Sequence, residues 1–245
     1  MNRRRTARRE RFLAEMSREA VACYRDPYKE WDDDEREYMP LFLSLVGNGK
    51  QILDLAGGYG KALPLLVQNG NSVLLGDLST ESLLGAQESF TSSGAQSIRL
   101  DILKELPFAD GAFDGVWFSE AFEYVPPDTR ARFLQALRWI VKDDGVVFLN
   151  GEGLSDELTI PAYLKNYLYW KILKLAPVIW GEYIYKLDLP LYQGWHYHAL
   201  LLSKRVEKLF RDAGFEIIRS KDFRQREYTA YILKAKPSGG QLLCR

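Results

Sequence analysis

The chain has 245 residues, 47% of them hydrophobic, with Lys+Arg and Asp+Glu both at 33. Such a composition supports a full hydrophobic core and excludes a largely disordered chain. Formal neutrality speaks against an electrostatic nucleic-acid binder, which is more often basic overall. The 2 cysteines, Cys23 and Cys244, stand near opposite ends. They make neither a disulfide framework nor a metal-ligand spacing, and point to a reducing, cytoplasmic setting. The most apolar stretch, Ile172–Trp180, is interrupted by Lys174 and Pro177, so no membrane span is expected. No long apolar stretch follows Met1, so no secretory signal is read, and no internal repeat is visible.

Arg3, Arg4, Arg5, Arg8, Arg9 and Arg11 crowd the start of the chain. The cluster reads either as a frayed, soluble terminus or as an arm for RNA or anionic lipid, and Glu10, Glu15 and Glu19 soon dilute it. Phe12, Leu13, Met16 and Ala20 recur at helical spacing and predict an amphipathic helix. Tyr24–Trp31 is a turn rich in aromatics. Asp32–Val46 is expected to be helical, with Pro40 marking a break or a new start. Residues 1–50 are therefore assigned to a helical cap.

From Gln51 the chain alternates between strands and helices. Gln51–Leu55 is an apolar run short enough for a buried strand. Gly57-Gly58-Tyr59-Gly60 breaks it, and Lys61–Gln68 is expected as a helix with Pro64 near its tolerant start. Ser72–Gly76 is a strand ending at Asp77, and Ser79 caps a helix from Thr80 to about Thr91. Strand Ser97–Leu100 ends at Asp101, and strand Phe113–Phe118 ends at Ser119-Glu120. Asp128 is placed as the cap of a helix whose apolar face is Phe133, Leu134, Leu137, Ile140 and Val141. Asp143-Asp144-Gly145 then turns into strand Val146–Asn150. This rhythm predicts an α/β fold with a doubly wound parallel sheet over residues 51–150.

The rhythm stops in residues 151–202, an insertion crowded with aromatics. Pro161 opens a helix there, with Tyr163, Tyr167 and Trp170 along one stripe. It resumes in residues 203–236. Ser203 caps a helix ended by Gly214, and strands Phe215–Lys221 and Tyr228–Ala235 follow with no crossover helix between them, which makes them antiparallel. Residues 237–245 read as a loose tail.

The turn after the first strand carries the chemistry. Its glycines allow a tight bend with no Cβ in a ligand's way, and the helix start offers unpaired N–H groups. Asp54, Asp77 and Asp101 fall at the ends of three successive strands, where open parallel sheets bind their ligands. Acids so placed suit a nucleoside. The one after the second strand accepts from ribose hydroxyls, and the one after the third accepts from an adenine amino group. An acid after the second strand also serves NAD, but the G-x-G-x-x-G fingerprint of a nicotinamide oxidoreductase is missing.

The order D-x-A-G-G-x-G, from Asp54 to Gly60, resembles motif I of the class I S-adenosylmethionine-dependent methyltransferases, with Ala56 where a first glycine is common. Leu106-Pro107-Phe108-Ala109-Asp110 through Val116 resembles the L-P-F-x-D-x-x-F-D-x-V stretch of their small-molecule branch. Ile140–Val147 resembles the segment before their fifth strand, with Asp143-Asp144-Gly145 in place of proline and glycine. The resemblance covers residues 51–150 well and 203–235 loosely. It implies a Rossmann-like, mostly parallel seven-stranded sheet with an antiparallel last strand, and S-adenosyl-L-methionine as cofactor. It places Asp54, Ala56, Gly57, Gly58, Tyr59 and Gly60 at the methionine portion and Asp77 with Leu78 at the ribose. Asp101 and Ile102 would flank the adenine, and Ser119 would sit near the methyl end.

The insertion leaves the sheet on the cofactor's side and is placed as a lid over a small, apolar or aromatic acceptor, or as a surface for a dimer partner. Tyr124, Tyr163, Tyr167, Trp170 and Trp195 are the expected acceptor contacts. His196 and His198 are the only histidines, and either is a candidate general base for an O, N or C acceptor. No cysteine or further histidine accompanies them, so no metal site is expected. An RNA methyltransferase using the arginine arm and a non-catalytic cofactor-binding module remain as rivals.

Overall fold

The computed structural model describes residues 3–23, 31–90, 94–153, 159–189, 192–201, 203–223 and 228–237. Most of the aromatic turn Tyr24–Trp31 and nearly all of the tail lie outside them, as does the expected helix end at Thr91. The core is a seven-stranded sheet in the order β3-β2-β1-β4-β5-β9-β8. Its strands are β1 (Gln51–Leu55), β2 (Ser72–Asp77), β3 (Gln96–Arg99), β4 (Phe113–Phe118), β5 (Val141–Glu152), β8 (Phe215–Phe223) and β9 (Tyr228–Ala235). Strands β1 to β5 pair in parallel, and β9 runs antiparallel to both β5 and β8.

Alternation along the strands builds two cores. Leu53, Leu55, Val116, Phe118, Val147 and Leu149 face one side, under Phe133, Leu134 and Leu137 of α5 (Arg130–Ile140) and Phe210 of α7 (Ser203–Asp212). Ile52, Trp117, Val146 and Phe148 face the other, with Tyr38, Met39 and Phe42 of α2 (Asp33–Val46). Leu63 and Leu66 of α3 (Leu63–Leu66) and Leu83 of α4 (Thr80–Ser89) complete that side. Burial on both faces is why these strands read as near-continuous apolar runs. The chain leaves β1 toward β2 and returns to β4 on its other side, so a crevice opens beyond the ends of β1 and β4.

Three local expectations change. The helix after the glycine turn shrinks to Leu63–Leu66, because residues 59–62 are spent in turns and Asn69 and Gly70 leave the helical region at φ 60° and 73°. The residue before α5 is Thr129, not Asp128. Asp128 is instead paired with Arg9. The arginine-rich start is helical and is tied to the rest of the fold at Arg9. It is part of α1 (Arg3–Cys23), where Arg9 bridges Asp128 at 2.7 Å and Glu182 at 2.5 Å.

The insertion has its own architecture. Helix α6 (Ile160–Leu168) runs into a π-helical turn (Tyr169–Leu173), and β6 (Glu182–Leu189) pairs with β7 (Tyr192–Ala199) as a separate antiparallel hairpin. Phe12, Leu13 and Met16 of α1 close a third core over Val178, Ile184, Tyr197 and Ala199. Among the described residues no helix is long and apolar enough to cross a membrane.

Candidate functional site

Asp54, the second-last residue of β1, is buried at 1% exposure, and its Oδ2 has no hydrogen-bond partner among the described residues. Burial pushes its carboxyl up to about 8, helped by the charges of Asp77 and Glu35 and opposed by Lys61. The turn that follows is left-handed at three places, with φ 56° at Ala56, 54° at Gly58 and 76° at Gly60. Alanine at position 56 is thus a backbone cost as well as one extra methyl, since left-handed φ costs an L-residue about 1–2 kcal/mol. A Cβ on Gly57 would lie 2.5 Å from Asp54 Oδ2 and overlap Leu75. The glycine there lets the turn close against the carboxylate.

Asp77 at the end of β2 holds this turn from the other side. Its Oδ2 accepts from the Gly58 N–H at 2.9 Å and its Oδ1 from the Ser79 N–H at 2.7 Å. Burial still raises its carboxyl above the usual range. Asp101, after β3, accepts from the Leu103 N–H at 2.9 Å. One cavity runs past all three acids. Ala56, Gly57, Gly58, Tyr59, Leu78, Ile102 and Ser119 line it with them. Gly60 does not; it faces inward, where a Cβ would meet Leu63 at 2.6 Å.

The same cavity contains residues that the sequence left unassigned. Glu35 of α2 is fully buried, and its Oε2 receives the Lys61 ammonium at 2.7 Å while its Oε1 accepts from Ser119 Oγ at 2.7 Å. Lys61 also lies 3.8 Å from Glu120. Carboxylate oxygens of Asp32, Glu35 and Glu120 converge as a metal site would require, but the Lys61 ammonium sits with two of these acids and supplies positive charge. The signal for Glu35 was in the sequence as the Asp32-x-x-Glu35 capping box, which the structure forms. Ser17 of α1 also reaches the cavity.

At the far end stands Tyr124, on the short turn Phe122–Tyr124 after β4. Its hydroxyl lies 2.7 Å from His196 Nε2 and 3.2 Å from His198 Nε2. His198 Nδ1 contacts Glu152 Oε2 at the end of β5. Arg130, buried in α5, places the hairpin here by donating to the Leu200 carbonyl at 3.0 Å and to that of Val125 at 3.0 Å. The two histidines are buried behind Tyr124 and do not line the cavity. Burial pulls His196 down to about 4, so it is neutral at physiological pH. Each Nε2 lies within hydrogen-bond reach of the same tyrosine oxygen, and the tautomer of each ring sets which group donates.

Tyr163, Tyr167, Trp170 and Trp195 are not brought to this cavity. The Tyr163 hydroxyl accepts from the Gly181 N–H at 2.7 Å, and its ring stacks on Tyr167. Trp170 donates to the Ile184 carbonyl at 3.2 Å and meets Trp195 edge to face. The polar tips of Tyr163 and Trp170 are engaged by the hairpin and its approach, and all four rings pack within the insertion.

Residues 53–149, covering nearly all of β1 to β5, match the family model described as a methyltransferase domain. No curated protein matches the chain by sequence. Among solved structures, a S-adenosylmethionine-dependent methyltransferase from Methanosarcina mazei is 21% identical, with TM-score 0.64 over 80% of this chain and 97% of its own. The 1,6-didemethyltoxoflavin-N1-methyltransferase of Burkholderia thailandensis, solved with 1,6-didemethyltoxoflavin and S-adenosylhomocysteine, is 15% identical, with TM-score 0.64 over 93% and 90%. The cyclase SpnF is 14% identical, with TM-score 0.59 over 95% and 96%. At these identities the structural likeness establishes the fold. The family match, the acid-ended strands and the glycine turn together identify the core of this chain as a class I S-adenosylmethionine-dependent methyltransferase domain, with S-adenosylmethionine as its cofactor.

Proposed function

We propose that the protein methylates a small-molecule acceptor held between the cofactor and Tyr124. The observation that carries this reading is a single cavity that joins three strand-end carboxylates to a tyrosine backed by two buried histidines. The residues fit the cofactor: Asp54 presents an unpartnered buried oxygen, and no atom would crowd a Cβ on Gly58 within 4 Å, which leaves room for a ligand beside the backbone. In this reading Asp54 and the turn Ala56–Tyr59 hold the methionine portion. Asp77 and Leu78 hold the ribose, Asp101 and Ile102 the adenine, and Ser119 lies toward the methyl end. Glu35 and Lys61 add a carboxylate and an ammonium of opposite sense to those of an amino acid, and so take its amino and carboxylate groups.

When bound, the cofactor supplies an electrophilic methyl on a sulfonium. The chain then has to hold the acceptor in line, exclude water and receive a proton. For a hydroxyl or ammonium acceptor the leaving proton passes to the Tyr124 oxygen as the phenol's own proton moves to His198 Nε2. Glu152 stabilises the imidazolium so formed. His196 and His198 act through Tyr124, which alone of the three meets the cavity.

A small acceptor is favoured by the neutral chain and by Arg9, whose guanidinium is engaged by Asp128 and Glu182 and so is withdrawn from an RNA-binding arm. The cyclase neighbour supports a second reading, the same fold used for other chemistry or for binding alone. Calorimetry and product analysis separate these. S-adenosylhomocysteine should bind and NAD should not. Asp77→Ala should weaken S-adenosylhomocysteine by about 1.5–3 kcal/mol, the scale for hydrogen bonds to a charged group. Tight NAD binding with no response to S-adenosylhomocysteine would sink the reading. Binding without S-adenosylhomocysteine release on any acceptor would favour the second.

A further inference from the structure

Residues 159–180 contain Lys165, Lys171 and Lys174 and no acidic residue. The segment is folded, as α6 and the π turn, with Tyr163, Tyr167 and Trp170 turned in against the hairpin. Its outer side is apolar. Ile160, Leu164, Leu168 and Ile172 recur at four-residue intervals and are all exposed, followed by Leu173 at 73% and Leu175 at 65%. The other exposed large hydrophobics described, such as Leu45, Leu84, Trp139 and Ile218, are scattered along the chain. Isolated exposed apolar residues need no explanation, but a contiguous stripe marks a docking surface.

The charges around the stripe identify its partner. Lys165 and Lys174 are exposed beside it, and Arg8 of the arginine-rich helix α1 donates to the Leu175 carbonyl. Tyr169 is partly exposed next to Leu168, and Trp180 and Trp195, packed on Tyr163, Tyr167 and Trp170, are partly exposed as well, as amphipathic rings are at a lipid–water boundary. The chain as a whole is formally neutral, whereas residues 159–180 carry three lysines and no acid. A symmetric dimer through this face would bring those lysines together, and like charges facing one another disfavour it. Aliphatic side chains with flanking lysines and interfacial aromatics suit an anionic lipid surface on which the helix lies without crossing. We propose that the outer face of α6 and the following turn docks the protein on an anionic membrane surface.

The test uses the full chain and sedimentation with vesicles of phosphatidylcholine alone or with roughly one-quarter phosphatidylglycerol. Binding is expected to the anionic vesicles, weaker to the neutral ones, and reduced by salt. The exposed pair Ile172→Ser with Leu173→Ser should lower partitioning by at least about tenfold, and Lys165→Glu with Lys174→Glu should do the same for the anionic vesicles alone. Circular dichroism and an unchanged melting temperature show that these variants fold. The proposal is overturned if the wild type ignores anionic vesicles, or if the variants partition as it does. It is equally overturned if ultracentrifugation shows a dimer that the Ile172 and Leu173 variants dissociate while vesicles leave the protein in solution.

Discussion

The sheet core and the insertion use the same residue types to opposite ends. In the core, Trp117 and Phe148 stack at 3.9 Å between α2 and the sheet, and apolar side chains fill both faces of every central strand. In the insertion, aromatic rings line a two-stranded hairpin that covers one face with α1 and leaves a helix with an apolar outer stripe. Core aromatics stabilise by burial. Insertion aromatics such as Tyr163 and Trp170 also spend their polar tips on backbone groups of the hairpin, so they position it. The site lies where the two regions meet. The core contributes a rigid floor of acids and glycines, and the hairpin contributes the two histidines behind Tyr124. The difference teaches that aromatic density by itself does not mark a ligand pocket.

The strongest way to break this division of labour is at Tyr124. Tyr124→Phe keeps the ring and removes the hydroxyl held by both histidines. Turnover should fall roughly 100- to 10,000-fold, the range for general acid–base catalysis, with S-adenosylhomocysteine affinity unchanged. His198→Ala should lose a similar share. Because burial holds His196 near 4, its protonation should not bend the rate profile in the usual histidine range; any acidic limb from this residue belongs near pH 4. Normal turnover in both variants would reduce the cluster to packing.

Next in size is the tie between cap and hairpin. Arg9→Ala leaves the Glu182 carboxylate buried without its guanidinium, although Tyr197 and the Ile179 N–H still donate to it. Removing one partner of a buried pair costs about 3–5 kcal/mol, and the remaining donors place the loss near the lower end. Urea unfolding should show it, and an unaltered midpoint would mean the cap is not anchored there.

Proton linkage sharpens the contrast further. Asp54 has its folded pKa raised to about 8 from 3.8, so the folded state binds the extra proton between those values. Stability from this group is present below the unfolded pKa and is lost as pH rises toward about 8. His196 works the other way. Its folded pKa is lowered to about 4, so its contribution is present above the ordinary 6.5 and is lost as pH falls through about 4. Asp54→Asn should flatten the decline on the alkaline side, and His196→Ala the decline on the acid side. Melting temperatures across pH check both.

The smallest expected effect is at Ala56. Its φ of 56° favours glycine, so Ala56→Gly should stabilise by up to about 1 kcal/mol, the left-handed strain relieved less the entropy glycine adds to the unfolded chain. A thermal melt reads the shift. A loss of stability would show that the alanine methyl packs usefully despite the strain.

Much of the core was legible because its signals are local. Strand β1 spans Gln51–Leu55, the stretch its apolar run marks, and Ser79 caps α4 by accepting from the Ser82 N–H at 3.1 Å. The three acids were legible too, since strand ends in a parallel sheet share one edge and their order along the chain becomes their neighbourhood in space. Glu35, Lys61 and Tyr124 became one site only through packing across long sequence separations: Ser119 reaches Glu35 over 84 residues, and Tyr124 meets His196 over 72. The sequence by itself determined the alternating sheet and the acid-ended strands, because periodicity and turn chemistry act over a few residues. Only the tertiary structure decided which aromatics face a cavity and which face one another. That choice depends on how the hairpin lies against α1 and β5, and no local pattern encodes it.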